Sequence, residues 1–113
     1  MDKKKKIDLL SELIQVKSVN GDEKDVAEIL KRELDDAGIA NEILPFGNNR
    51  ANLVATLGHG HPVLTVSGHM DVVEVDKENW ATDPFKLVEK DDMFYGRGVT
   101  DMKAGLAALV IAM

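Results

Sequence analysis

The sequence has no cysteine, so it can build no disulfide framework and offers no thiolate, and any metal it holds must be bound by nitrogen and oxygen donors. It also lacks an excess of positive charge: 14 Lys and Arg against 20 Asp and Glu leave a formal charge of −6. That argues against a grip on nucleic acid, which needs clustered cations to replace the counterions of phosphate. Its one basic run, Lys3 to Lys6, reads as a solvated N-terminal face. Asp8, Glu12 and Gln15 interrupt what would have to be the apolar core of a signal peptide, and no segment approaches membrane-spanning length. A cytoplasmic enzyme fits these exclusions. What remains is an ordinary globular composition, 44% hydrophobic and 30% charged over 113 residues, enough for one packed core.

Apolar residues at helical spacing (Ile7, Leu10, Leu13, Ile14) predict a first helix over Lys5 to Val16, broken by Lys17 to Gly21. Asp22 is placed to cap a second helix, whose stripe Val26, Ile29, Leu30 and Leu34 ends at Gly38. Three β-type runs follow: Asn41 to Phe46, Asn52 to Leu57 and Val63 to Ser67, the last expected as a buried strand. An irregular stretch from Val75 to Pro84 precedes a hairpin in which Phe85 to Glu89 and Met93 to Tyr95 flank Lys90-Asp91-Asp92. From Met102 onward Leu106, Leu109, Val110 and Met113 return to helical spacing, with no Gly, Asn or Pro to end the helix, so the chain is expected to stop within it. The expected class is α/β, a sheet of short strands flanked by helices.

Two stretches carry chemistry. Ser67-Gly68-His69-Met70-Asp71 follows the apolar run Val63 to Val66, which sets His69 at a strand end, where α/β sheets place ligands. Residues two apart in an extended segment face the same side, so Asp71 can act with His69. A neutral imidazole binds zinc through one nitrogen, and a carboxylate at the other fixes the tautomer. Taken alone, such a triplet arises readily by chance in so acidic a chain, and a hydrogen-bonded histidine accounts for it. The second stretch is Gly96-Arg97-Gly98-Val99-Thr100-Asp101-Met102-Lys103. A dinucleotide fingerprint would need glycine where Asp101 stands, and a Walker A loop would need Gly-Lys-Ser or Gly-Lys-Thr, so both nucleotide readings fail. Asp101 is otherwise explained as a helix N-cap.

Together, Ser67-Gly68-His69-Met70-Asp71-Val72-Val73, Trp80, Pro84-Phe85 and Tyr95 to Gly98 through Asp101-Met102-Lys103 form an ordered series. In this the chain resembles the dinuclear zinc metallopeptidase family of succinyl-diaminopimelate desuccinylase, acetylornithine deacetylase, aminoacylase and the glutamate carboxypeptidases. The family often has glycine after the lysine, where this chain has Ala104 and then Gly105. The resemblance implies a zinc-peptidase-like catalytic domain of which residues 1–113 are the N-terminal portion, with the rest of the domain and a dimerisation domain absent. It makes His69 a terminal metal ligand, Asp71 the catalytic residue that orients it, and Asp101 the carboxylate bridging two zinc ions per intact subunit, cobalt being an alternative.

The same resemblance places a Glu-Glu pair, a further acidic ligand and a distal histidine after Met113. His59 and His61, flanking Gly60 in a turn, are read as surface residues rather than as that histidine. The implied reaction is amide hydrolysis of a small N-acyl amino acid or peptide, with a desuccinylase as the nearest candidate. The intact parent is expected to be a homodimer without nucleic-acid or membrane partners. The segment alone is expected to be inactive and, by exposing apolar faces, to favour self-association. The alternative is a non-catalytic metal-binding or interaction module that keeps the fold without turnover.

Overall fold

In a computed structural model describing residues 1–113, the first helix begins where Asp2 can cap it. The Asp2 carboxylate accepts the Lys5 main-chain N–H at 2.8 Å, satisfying one of the free donors at the start of α1 (Lys3–Gln15). Leu9, Leu10, Leu13 and Ile14 form its buried stripe, and Val16 ends it by turning extended. The second helix, α2, spans Lys24–Asp36 and buries Val26, Ala27, Leu30 and Leu34.

Asp22 does not cap α2, contrary to expectation. It lies in the left-handed region (φ 53) after Gly21, and Glu23 takes the N-cap position without a side-chain bond. The tight turn carries the Asp22 carboxylate toward Asn49, whose Nδ2 donates to it at 3.4 Å. Gly38 does end the helix as expected: with φ 71 it lets its own N–H reach Asp35 O and that of Ile39 reach Leu34 O, each at 2.9 Å.

Strands β1 (Ala40–Gly47) and β2 (Arg50–Thr56) form an antiparallel hairpin with a register shift at Pro45 to Gly47. A second hairpin pairs β3 (Val88–Lys90) with β4 (Met93–Tyr95). Asp91 and Asp92, at φ 54 and 66, make its two-residue turn, the backbone twist that antiparallel strands favour. Helix α3 (Ala104–Ala112) packs Leu106 and Ala107 against Leu9, Leu13, Val26 and Leu30 to complete the core. Each buried leucine or valine among them contributes about 1.5–3 kcal/mol relative to exposure.

The α/β mixture stands, but the expected single sheet is two separate two-stranded sheets. Val63 to Ser67 is no buried strand: no strand of the chain pairs with it, and Val63 and Leu64 are 70% and 89% exposed. Its apolar composition gives it strand character, yet no strand lies beside it to complete a ladder. Beyond β2 the chain meets its next backbone bridge only where Val72 pairs in parallel with Val19. No helix of the chain is long and apolar enough to cross a membrane.

Candidate metal centre

His69 and Asp71 are held by the connection between α1 and α2. Ser18 Oγ donates to the carbonyl of Met70 at 2.9 Å, the Val72 N–H donates to Ser18 O at 2.8 Å, and the Asn20 N–H donates to Val72 O at 2.8 Å. Asp101 arrives from the other motif, in an irregular turn over Val99–Lys103 where Asp101 and Met102 leave helical backbone (φ −131 and −140). It is therefore not the plain N-cap that its position before a helix would allow. Gly98 enters this turn at φ 91, and a Cβ there would lie 2.7 Å from Val72 Cγ1, so the turn packs directly on the His69 segment only because the residue is glycine.

The two motifs meet in one short contact. His69 Nε2 lies 2.8 Å from Asp101 Oδ1, while Nδ1 lies 3.0 Å from the main-chain oxygen of Asp71 and 3.3 Å from its carboxylate. The expected pairing of His69 with Asp71 is thus present, with the carbonyl closer than the carboxylate. Since both ring nitrogens face acceptors, both donate when the imidazole is charged. The hydrogen bond to Asp101 raises the His69 pKa above its ordinary value; partial burial opposes this, and the Asp71 carbonyl and the two carboxylate charges reinforce it. The Asp101 side chain is 84% exposed, which leaves its second oxygen open to another partner.

Around this contact lies a shallow cavity of about 140 Å³, lined by His69, Asp71, Asp101, Thr100 and Arg97 among others. Arg97 also reaches the irregular stretch. Its N–H donates to Pro84 O at 2.6 Å and its guanidinium stacks over Trp80, 5.3 Å from the ring centre. Arg97, a lining residue, thereby ties the stretch carrying Trp80 and Pro84 to the edge of the cavity. His59 and His61 are exposed and do not line the cavity.

Lys103 belongs to the second motif, which gave it no role of its own. Its side chain is fully buried, and Nζ donates to Leu13 O at 2.7 Å and Val16 O at 2.8 Å. Desolvation pushes its pKa down to about 8. A lysine among apolar neighbours opening a helix carries no local signal of such a partner, which lies 90 positions away for Leu13.

The donor set suits a divalent cation in part. An imidazole nitrogen and a carboxylate oxygen converge with a proton between them, and a cation can take that proton's place while the Asp71 carbonyl still holds Nδ1–H. No group of three or more His, Cys, Asp or Glu side chains is arranged to hold a metal ion, so these residues supply a partial ligand set.

Both motif stretches fall within one matched family segment. Residues 65–113, which span both motifs, match the model of peptidase family M20/M25/M40. The chain is 50% identical over 111 residues to a probable succinyl-diaminopimelate desuccinylase of Staphylococcus aureus (strain MRSA252), covering 97% of this chain and 27% of that protein. It is 42% identical over 110 residues to a succinyl-diaminopimelate desuccinylase of Anaplasma marginale (strain Florida), covering 95% of this chain and 29% of the relative. Its fold is similar to the crystal structure of human carnosine dipeptidase 1, with a TM-score of 0.73 and 27% identity over 96% of this chain and 27% of that one. The chain thus spans little more than a quarter of the length of the curated relatives it matches.

Proposed function

We propose, on the premise that the chain is a homologue of the M20 hydrolases, that it is the N-terminal metal-binding portion of a dinuclear zinc amidohydrolase. The observation that carries this reading is the 2.8 Å approach of His69 Nε2 to Asp101 Oδ1 between the two motif stretches. In this role His69 is a terminal ligand, Asp101 the bridging carboxylate, and Asp71 orients the imidazole through Nδ1. Two oxygens allow a carboxylate to join two cations, whereas an imidazole serves one. Were two metal ions held by His69 and Asp101 together with further ligands, they would supply Lewis-acid polarisation of a carbonyl and a water of lowered pKa. The chain's own residues hold the ligands: Asp71 keeps the Nδ1 proton in place, and Asp101, exposed on one side, presents its second oxygen.

The substrate class is a small N-acyl amino acid or peptide, with an N-succinyl amino acid the first candidate, supported by the names of the relatives. The general base and remaining ligands lie, in this reading, outside the 113 residues, in a cytoplasmic homodimeric parent. By themselves the 113 residues lack turnover, because two ligands cannot replace a missing base. The test compares the 113-residue chain with a version extended to the length of the desuccinylase relatives, each given zinc and assayed on N-succinyl and other N-acyl amino acids. Turnover by the extended protein alone is the expected result. Robust turnover by the 113 residues, or none by the extended protein with zinc bound, would refute the assignment.

A further inference from the structure

The connection between α1 and α2 touches both halves of the candidate centre. On one side Lys103, two residues after Asp101, sends its buried ammonium to the carbonyls of Leu13 and Val16 at the C-terminal end of α1, at 2.7 and 2.8 Å. On the other, Ser18 is fully buried and bonds Met70, the residue between His69 and Asp71, while its own carbonyl accepts the Val72 N–H. A stretch from Leu13 to Ser18 is therefore fastened to both motif segments.

We propose that Lys103 and Ser18 are positioning residues that fix the approach of His69 to Asp101 by tying both segments to the end of α1. The role rests on reading His69 and Asp101 as metal ligands. Burying an ammonium is costly, and an apolar side chain of similar volume would serve packing as well or better. What the lysine adds is direction. The end of a helix carries the negative end of its dipole and under-satisfied carbonyls; Leu13 O takes the Val16 N–H at 3.3 Å and still has a lone pair for Nζ, so a cation bonded to Leu13 O and Val16 O is held at two points. The Lys103 N–H also donates to Gly98 O at 2.7 Å, closing the turn that presents Asp101. Ser18 does the corresponding work for the His69 segment, which has no ladder of its own before the bridge at Val72.

The readout is the hydrogen-bonded Nε2 proton of His69 in the metal-free, 15N-labelled 113-residue chain, followed by long-range 1H–15N spectra at one pH below the ordinary histidine value. Its absence in Asp101→Asn assigns it. Lys103→Met and Ser18→Ala are expected to lose or shift this resonance while keeping amide dispersion and a cooperative melt, and Ser18→Thr to restore it. Leu9→Ala, which removes core volume from the same helix away from the tie, is expected to lower the melting temperature and keep the resonance. A folded Lys103→Met with an unchanged resonance overturns the role, as does a Leu9→Ala that moves it equally. Should Lys103→Met not fold, Ser18→Ala decides by the same signal. Because no metal is present, failure here is distinct from failure of the zinc assignment, which is read from metal content.

Discussion

His69 Nε2 and Asp101 Oδ1 stand 2.8 Å apart although 32 positions separate them in sequence. The contact joins a segment after the first hairpin to a turn before the last helix, and in the proposed assignment the nitrogen and the oxygen that meet are the atoms that would bind a cation. It also makes the roles of the two acids separable, because Asp71 faces the other side of the ring.

In the extended protein, Asp71→Ala is expected to reduce zinc affinity or activity by about 10 to 100-fold, the usual effect of removing a group that orients a ligand. His69→Ala should lose one metal, and Asp101→Ala should disrupt both. Zinc content and rate constants measured side by side, with circular dichroism as the folding check, separate these outcomes. Full activity and zinc in both Asp71→Ala and Asp101→Ala would remove the basis for the assignment.

Zinc binding by the 113-residue chain alone should be weak and labile, since catalytic zinc ordinarily has about three protein ligands and structural zinc four. Calorimetric titration of the monomer checks this. Tight, stoichiometric retention would mean that ligands other than His69 and Asp101 are in play.

Without metal, His69 should titrate above the ordinary histidine value, and Asp101→Asn should bring it down. A histidine whose folded pKa is raised adds stability that is fully present below the unfolded value, about 6.5, and is lost as pH rises through the folded value. Melting temperature should therefore fall across that window in the native sequence and fall less in Asp101→Asn. NMR titration and thermal melts read the two effects independently.

Gly98 and Gly58 both have left-handed backbone, with φ 91 and 79, but only Gly98 has a neighbour where a Cβ would go. Gly58→Ala should cost about 1–2 kcal/mol, the price of left-handed backbone for an L-residue. Gly98→Ala should cost clearly more, because Val72 must also move. Urea unfolding of both variants gives the difference; equal costs would show that the turn and the Val72 segment yield freely.

Much of the fold was legible in the sequence for local reasons. The helical stripes of α1 and α2, the cap at Gly38, the strand character of β1 and β2 and the hairpin of β3 and β4 follow from periodicity and turn residues that act within a few positions. The spacing of His69 and Asp71 is local in the same sense, and the ordered motifs were enough to single out Asp101. Other features depended on distant partners. Val63 to Ser67 has the composition of a buried strand, but burial needs a neighbour, and no strand of the chain lies against it. Asp22 has the residue type of a cap, yet the turn at Gly21 carries it to Asn49 instead. The sequence by itself determined which side chains carry nitrogen and oxygen donors, because donor chemistry belongs to the side chain. Only the tertiary structure decided that His69 and Asp101 meet, and that Lys103 is buried against the end of α1, because both contacts join segments that nothing local brings together.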